Sequence, residues 1–161
     1  MEKELRRNQI SLVTFGTGVI LLGVWSVLKS VLYVLAGPPL NLGEEIDPTV
    51  ILITKIVSFI FIGFLITADI LLRVYIGRAA RAEGQGRKQK NRYLYLAGFV
   101  IAFNFAGLVF SVYYAVTAGL GDLSRLDFAA SCLVEVTSTI LLFRLILAAK
   151  RVKKLRRALE G

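Results

Sequence analysis

Four long apolar stretches, separated by short blocks of charge, constrain the fold of this chain more than any other feature. About 20 apolar residues are enough for a helix to cross the roughly 30 Å hydrocarbon core of a bilayer. Of the 161 residues, 56% are hydrophobic, whereas soluble domains contain about 45–50%. A soluble helix would also need polar residues at regular spacing to face water. The sequence therefore predicts an all-α integral membrane protein, a bundle of four transmembrane helices.

Helix-breaking and helix-capping residues set the bounds of these spans within a single transmembrane domain that covers 1–161. The spans are predicted, in chain order, at about 10–36, 48–72, 93–118 and 125–149. The first stops where two prolines, Pro38 and Pro39, prevent a helix from continuing. The second starts where Asp47 can cap a helix whose first residue is Pro48. We expect helix two to continue to about residue 83 and helix four into the basic tail 150–161, so that both extend into the cytoplasm.

Basic residues lie almost entirely at one end of the predicted bundle. Three precede the first span, seven lie between Arg73 and Arg92, and six follow the fourth span, whereas the two remaining loops hold only Arg125. Lys and Arg concentrate in loops on the cytoplasmic side of membranes. We therefore predict that both termini and the basic loop are cytoplasmic, in the plasma membrane, with a bacterial inner membrane as the expected setting.

The distribution of positive charge also predicts the partners of this chain. The net charge of +9 lies beside the apolar spans, so we expect contact with the bilayer and its anionic head groups at the cytoplasmic face, and no nucleic acid. Tyr93 and Tyr95 follow the basic loop, where aromatic side chains commonly anchor at head-group level. A homo-oligomer or a membrane-protein partner is equally compatible with the pattern.

Charged residues inside the spans define a first candidate site. Lys29, Lys55 and Glu135 each lie roughly 10–15 Å beneath the predicted outer surface, counted at 1.5 Å per residue, and Ser131 and Ser138 share a helical stripe with Glu135. One interpretation is an outward-facing pocket for a small anion. The other is that Glu135 pairs with one lysine to fix the helix register while the second lysine snorkels to the surface. We favour the second interpretation.

A second candidate site lies near the predicted cytoplasmic boundary. Asp69 and Arg73 are four residues apart on helix two, a spacing that places both side chains on one helix face. Arg144 lies at a similar depth on helix four. A structural ion pair among these residues is favoured over a role in transport, because charges within a span normally have a partner.

Small and polar residues on helices one and three predict close helix packing. Gly16, Gly23 and Ser30 recur every seven residues with Ser26 on the same face, and glycine or serine lets two helix backbones approach each other. Asn104 lies near mid-membrane and is able to hydrogen-bond across helices. The predicted packing residues are Gly16, Gly23, Ser26, Ser30, Asn104 and Gly107.

Residue types that enzymes of common classes need are missing. The chain has no histidine and one cysteine, Cys132, and it has no nucleotide-binding glycine motif. We therefore expect no cofactor, no metal and no enzymatic activity. The favoured function is a non-enzymatic membrane subunit, scaffold or accessory protein. The alternative is an oligomeric carrier or channel for a small anionic solute that uses Lys29, Lys55 and Glu135.

Overall fold

The computed structural model describes residues 2–36, 48–118 and 122–160. These residues form four α-helices: α1 Glu2–Ala36, α2 Pro48–Gly84, α3 Arg92–Ala118 and α4 Asp122–Glu160. Each helix contains a segment long and apolar enough to cross a membrane. The prediction of four apolar helices in an all-helical chain is confirmed. Residues 37–47 and 119–121, and the side chains of Lys29, Ser30 and Lys55, lie outside the part of the chain that the structure describes.

Helix α1 starts earlier than the sequence predicts. It begins at Glu2, not near residue 10, because Glu2 and Glu4 occupy the first turn, where carboxylates interact favourably with the helix dipole. Leu5 packs against the hydrophobic core, so tertiary contacts also hold this turn. Helices α1, α2 and α4 have 35, 37 and 39 residues, which at 1.5 Å each is more than a roughly 30 Å bilayer core requires.

The connection between α2 and α3 begins with a glycine C-cap. Gly86 has φ +93°, a left-handed conformation that glycine adopts without steric cost. The Gly86 amide donates to the Glu83 carbonyl at 3.1 Å, and the Arg87 amide donates to the Ala82 carbonyl at 3.0 Å. This is the Schellman pattern that satisfies the last carbonyls of a helix. It turns the chain sharply so that α3 packs back onto the bundle.

Buried side chains are confined to one end of the bundle, which we call the packed end. It comprises residues 12–23 of α1, 73–83 of α2, 93–100 of α3 and 138–152 of α4, and it adjoins both termini and the α2–α3 connection. On the other side of this core lie residues 24–36, 48–72, 101–118 and 122–137, which we call the open end. None of its described side chains is fully buried. The core of the packed end is formed by Leu12, Val19, Ile76, Ala80, Tyr93, Ala97, Val100, Leu142, Leu145, Ala148, Ala149 and Val152.

Helix α1 packs most extensively against α2, and two facing glycines allow this close approach. A Cβ atom on Gly16 would lie 2.8 Å from the carbonyl oxygen of Gly77, and one on Gly77 would lie 2.5 Å from that of Gly16. Further along the same contact, a Cβ on Gly84 would lie 2.8 Å from the carbonyl oxygen of Gln9. Larger residues at these positions would force the two helices apart.

Candidate functional site

Arg73 of α2 is a buried charged residue of the packed end. Its side chain is 8% exposed, and its Nε donates to Asp69 Oδ2 at 2.8 Å and to Oδ1 at 3.0 Å. Asp69 precedes Arg73 by one helical turn and keeps a third of its side chain exposed, at 33%. The structure therefore forms the predicted ion pair, with the guanidinium inside the bundle and the carboxylate near its edge.

The Arg73 side chain also contacts the other three helices, α3 and α4 through its guanidinium and α1 through its carbon atoms. Its Nη1 donates to Ser138 Oγ on α4 at 2.6 Å, and its Nη2 donates to Asn104 Oδ1 on α3 at 3.3 Å. The Asn104 amide nitrogen in turn donates to Ser138 Oγ at 3.4 Å. On α1, a Cβ atom at Gly23 would lie 3.1 Å from both Cβ and Cδ of Arg73. We call these five residues the Arg73 network.

The geometry of the Arg73 network suits a structural role. Arginine stays protonated in proteins, so a buried guanidinium needs compensating charge and hydrogen-bond acceptors. Asp69 supplies the charge, and Ser138 and Asn104 accept from the two terminal nitrogens. The two terminal nitrogens of Arg73 thus donate to neighbouring helices. The arrangement fixes the rotation and depth of α2, α3 and α4 relative to one another.

The structure places Arg144 away from this pair, which corrects its predicted position. Leu142 and Leu145 of α4 are both buried, and Arg144 lies between them in sequence. Because successive helix residues are about 100° apart, a residue between these two inward positions points away from the core. Arg144 is exposed and lines a groove between α1 and α4.

The predicted cluster around Glu135 is divided by the structure. Ser138 is 4% exposed and belongs to the Arg73 network, because α4 brings it level with Arg73 rather than with the outer lysines. Glu135 and Ser131 lie in the open end, where both are half-buried, and Glu135 Oε2 itself is buried. The partner side chains in that prediction, Lys29 and Lys55, lie outside the described residues.

The structure places the predicted packing residues in different environments. Gly16 and Gly23 lie in helix contacts, with Gly77 and Arg73 respectively, and Ser26 is half-buried. Asn104 reaches across helices through the Arg73 network. Gly107 packs against no helix of the described chain, because it is exposed and a Cβ there would meet nothing within 4 Å. Over the described residues α3 contacts α4 and α2 but not α1.

A second polar cluster, which the sequence did not predict, ties the α2–α3 connection to α4. Glu83 is 1% exposed and accepts a hydrogen bond from the hydroxyl of Tyr93. Lys153 Nζ lies 3.6 Å from Glu83 Oε2, 5.4 Å from the centre of the Tyr93 ring and 2.5 Å from Asn91 Oδ1. We call these four residues the Glu83 cluster. Its charges compensate each other within the packed end.

One sequence signal for the Glu83 cluster was present. Glu83 is the only acidic residue between Asp69 and Asp122, inside a segment dense in Lys and Arg. A single carboxylate in such a segment has several cations within reach, which favours burial as part of an ion pair. Tyr93 was expected at head-group level, yet it is 1% exposed. Its hydroxyl finds a buried acceptor in Glu83, which residue spacing alone does not indicate.

Comparison with known proteins identifies no relative of this chain. No protein-family model, no curated protein and no solved structure matches it.

Proposed function

We propose that this chain is a non-enzymatic component of a membrane, a small multi-pass subunit, scaffold or accessory protein that acts through helix contacts. The observation that carries the proposal is the Arg73 network. Its buried charge is compensated by Asp69 and its donors are directed at two other helices. Buried polar side chains used in this way fix helix register, whereas a catalytic or transport site would keep donors available to a substrate.

The apolar surface of the open end supports insertion in a bilayer. Phe59, Phe64, Phe103 and Phe110 are all more than 60% exposed, and they belong to long stretches of α2 and α3 with exposed apolar side chains. Soluble monomers rarely expose contiguous apolar surface of this extent. Lipid chains or the helices of another membrane protein would cover it without cost. The plasma membrane, or the inner membrane of a bacterium, is the proposed location.

The orientation that we propose follows from charge. The packed end adjoins both termini and the basic α2–α3 connection, so by the positive-inside rule it faces the cytoplasm. Cysteines introduced singly at Gln85 and at Asn41, in a Cys132→Ala background, test this in intact cells. A membrane-impermeant maleimide should label the cysteine at position 41 and leave that at position 85 unlabelled until the membrane is opened. The reverse pattern would overturn the orientation.

Photo-crosslinking in native membranes tests the proposed contacts. A photoreactive amino acid at Phe64 or Phe110 places the probe on the exposed surface of the open end, and one at Leu142 gives a matched control inside the core. Mass spectrometry should identify a reproducible partner, a second copy included, for the first two positions and only intramolecular products for the third. Lipid adducts alone at Phe64 and Phe110 would contradict a scaffold or subunit role.

A second proposal is an oligomeric carrier or channel for a small anionic solute. The observation that favours it is the half-buried Glu135, whose Oε2 atom is buried in the open end close to half-buried Ser131. Carboxylates within a span are costly and commonly functional. Liposomes with the Glu135→Gln variant should then move chloride or phosphate more slowly than wild type, while Glu2→Gln leaves the rate unchanged. Equal rates in all three preparations would exclude the mechanism.

A further inference from the structure

A groove between α1 and α4 combines positive charge with apolar surface. It encloses about 800 Å³ and is lined by residues 4–15 of α1 and 144–158 of α4. The two helices run antiparallel here, since a Cβ atom at Gly18 of α1 would lie 3.5 Å from Leu141 Cδ1 of α4, beyond the deep end of the groove. We call this cleft the basic groove. Its charged side chains are Glu4, Arg7, Arg144, Arg151 and Lys154.

The charge of the basic groove is not compensated within the described chain. Four cations face one carboxylate, Glu4. Within the part of the chain that the structure describes, none of these four cations forms an ion pair. This is the opposite of the packed core, where each charge has its partner. Uncompensated cations that converge on one cleft predict an anionic ligand.

The deep end of the groove points to a ligand with an apolar part. Arg144 lies within the apolar segment of α4 that is long enough to span a membrane, and Phe15 and Leu147 line the groove beside it. Beyond the groove, Ile140 and Phe143 of α4 are 50% and 57% exposed. A soluble phosphate ion would make no contact with this apolar surface, whereas the acyl chains of a lipid would extend along it.

We propose that the basic groove binds the phosphate head group of an anionic phospholipid, with its acyl chains along the exposed face of α4. Arginine suits this role because its planar donors match phosphate oxygens, and basic clefts between transmembrane helices on the cytoplasmic side hold anionic lipid head groups in this way. The inference rests on the membrane location and orientation proposed above. It adds a specific lipid site to a chain whose basic residues otherwise only set topology.

Native mass spectrometry of the full chain, released from nanodiscs with equal parts of phosphatidylglycerol and phosphatidylcholine, tests the site. Wild type should retain phosphatidylglycerol in preference. Each arginine is expected to contribute about fivefold, the equivalent of about 1 kcal/mol, so Arg144→Gln/Arg151→Gln should reduce retained phosphatidylglycerol at least tenfold. Arg78→Gln/Arg87→Gln removes the same charge from a different face, around α2, and should change retention less than threefold.

Several outcomes would overturn the lipid site. Equal losses in the two double variants would mean attraction by net charge alone, and no loss in either would mean that the groove is not used. Displacement of lipid by excess inorganic phosphate would assign the groove to a soluble anion. If Arg144→Gln/Arg151→Gln fails to fold, Arg7→Gln/Lys154→Gln provides a second test at the other two cations of the groove. Recovery of the chain in the soluble fraction would instead refute the membrane location.

Discussion

The packed end and the open end belong to the same four helices but differ in which side chains they bury. In the packed end, Arg73, Glu83 and Ser138 are buried and each has a partner on another helix or on the α2–α3 connection. In the described part of the open end no side chain is fully buried, and large apolar residues such as Phe64 and Phe110 are 69% exposed.

This contrast indicates where the stability of the chain lies. A buried charge that has partners fixes one arrangement of helices, because any other arrangement leaves that charge uncompensated. Exposed apolar helices have no such constraint, and in lipid their surfaces are satisfied by acyl chains or by other helices. We therefore expect stability to depend on the packed end, and contacts with other molecules to depend on the open end.

The largest expected effect is that of Asp69→Asn. It leaves the buried guanidinium of Arg73 without a counter-charge, and arginine cannot lose its proton. We expect a loss of about 3 kcal/mol in the free energy of unfolding, the low end of the range for a broken buried pair, because Asp69 is a third exposed. Arg73→Met should cost less, since the remaining carboxylate reaches water. Denaturation in mixed micelles measures both losses. A smaller loss for Asp69→Asn than for Arg73→Met would contradict the role of Asp69 as the counter-charge of Arg73.

The second largest effect is expected from glycine substitutions, which should cost stability in the packed end but not in the open end. Gly77→Ala places a methyl group 2.5 Å from the Gly16 carbonyl oxygen, so it should cost about 1–3 kcal/mol in the same assay. Gly63→Ala and Gly107→Ala meet nothing within 4 Å and should be neutral or slightly stabilising. A cost at Gly107 that appears in bilayers and disappears in dilute detergent would mean that a second copy packs there.

A smaller effect is expected in the Glu83 cluster. Tyr93→Phe removes the hydroxyl that donates to buried Glu83, and an acceptor deprived of its donor costs about 1–2 kcal/mol. Tyr95→Phe is the matched control on the same helix, because Tyr95 is 77% exposed, and it should change stability by less than about 0.5 kcal/mol. Similar values for the two variants would mean that the hydrogen bond between Tyr93 and Glu83 adds nothing to the stability of the packed end.

The smallest effect should come from the aromatic residues of the open end. Phe110→Ala removes a side chain that is 69% exposed, so the unfolding free energy of the isolated chain should change by less than about 0.5 kcal/mol. The same variant should weaken crosslinking to a partner in native membranes. A loss of stability in detergent would show that Phe110 packs against another helix of the same chain.

Much of the architecture follows from short-range sequence signals. Apolar length gives four helices, and the i,i+4 spacing of Asp69 and Arg73 gives their ion pair, because both depend on residues near one another in the chain. The sequence does not predict the position of Arg144, because that position depends on the rotation of α4 about its own axis. The burial of Leu142 and Leu145 defines this rotation. Ser138 was assigned to the wrong cluster because the relative depth of two helices is not encoded in the pattern of either.

The central claim is that the Arg73 network joins the helices of the packed end, and a double-mutant cycle between Arg73 and Ser138 tests it most directly. These residues are 65 positions apart and share a 2.6 Å hydrogen bond. Hydrogen bonds between helices in membranes average about 0.6 kcal/mol, and charged donors roughly double the strength. Unfolding of Arg73→Met, Ser138→Ala and the double variant in bilayers should give a coupling energy of about 1 kcal/mol, whereas additive effects would contradict the account.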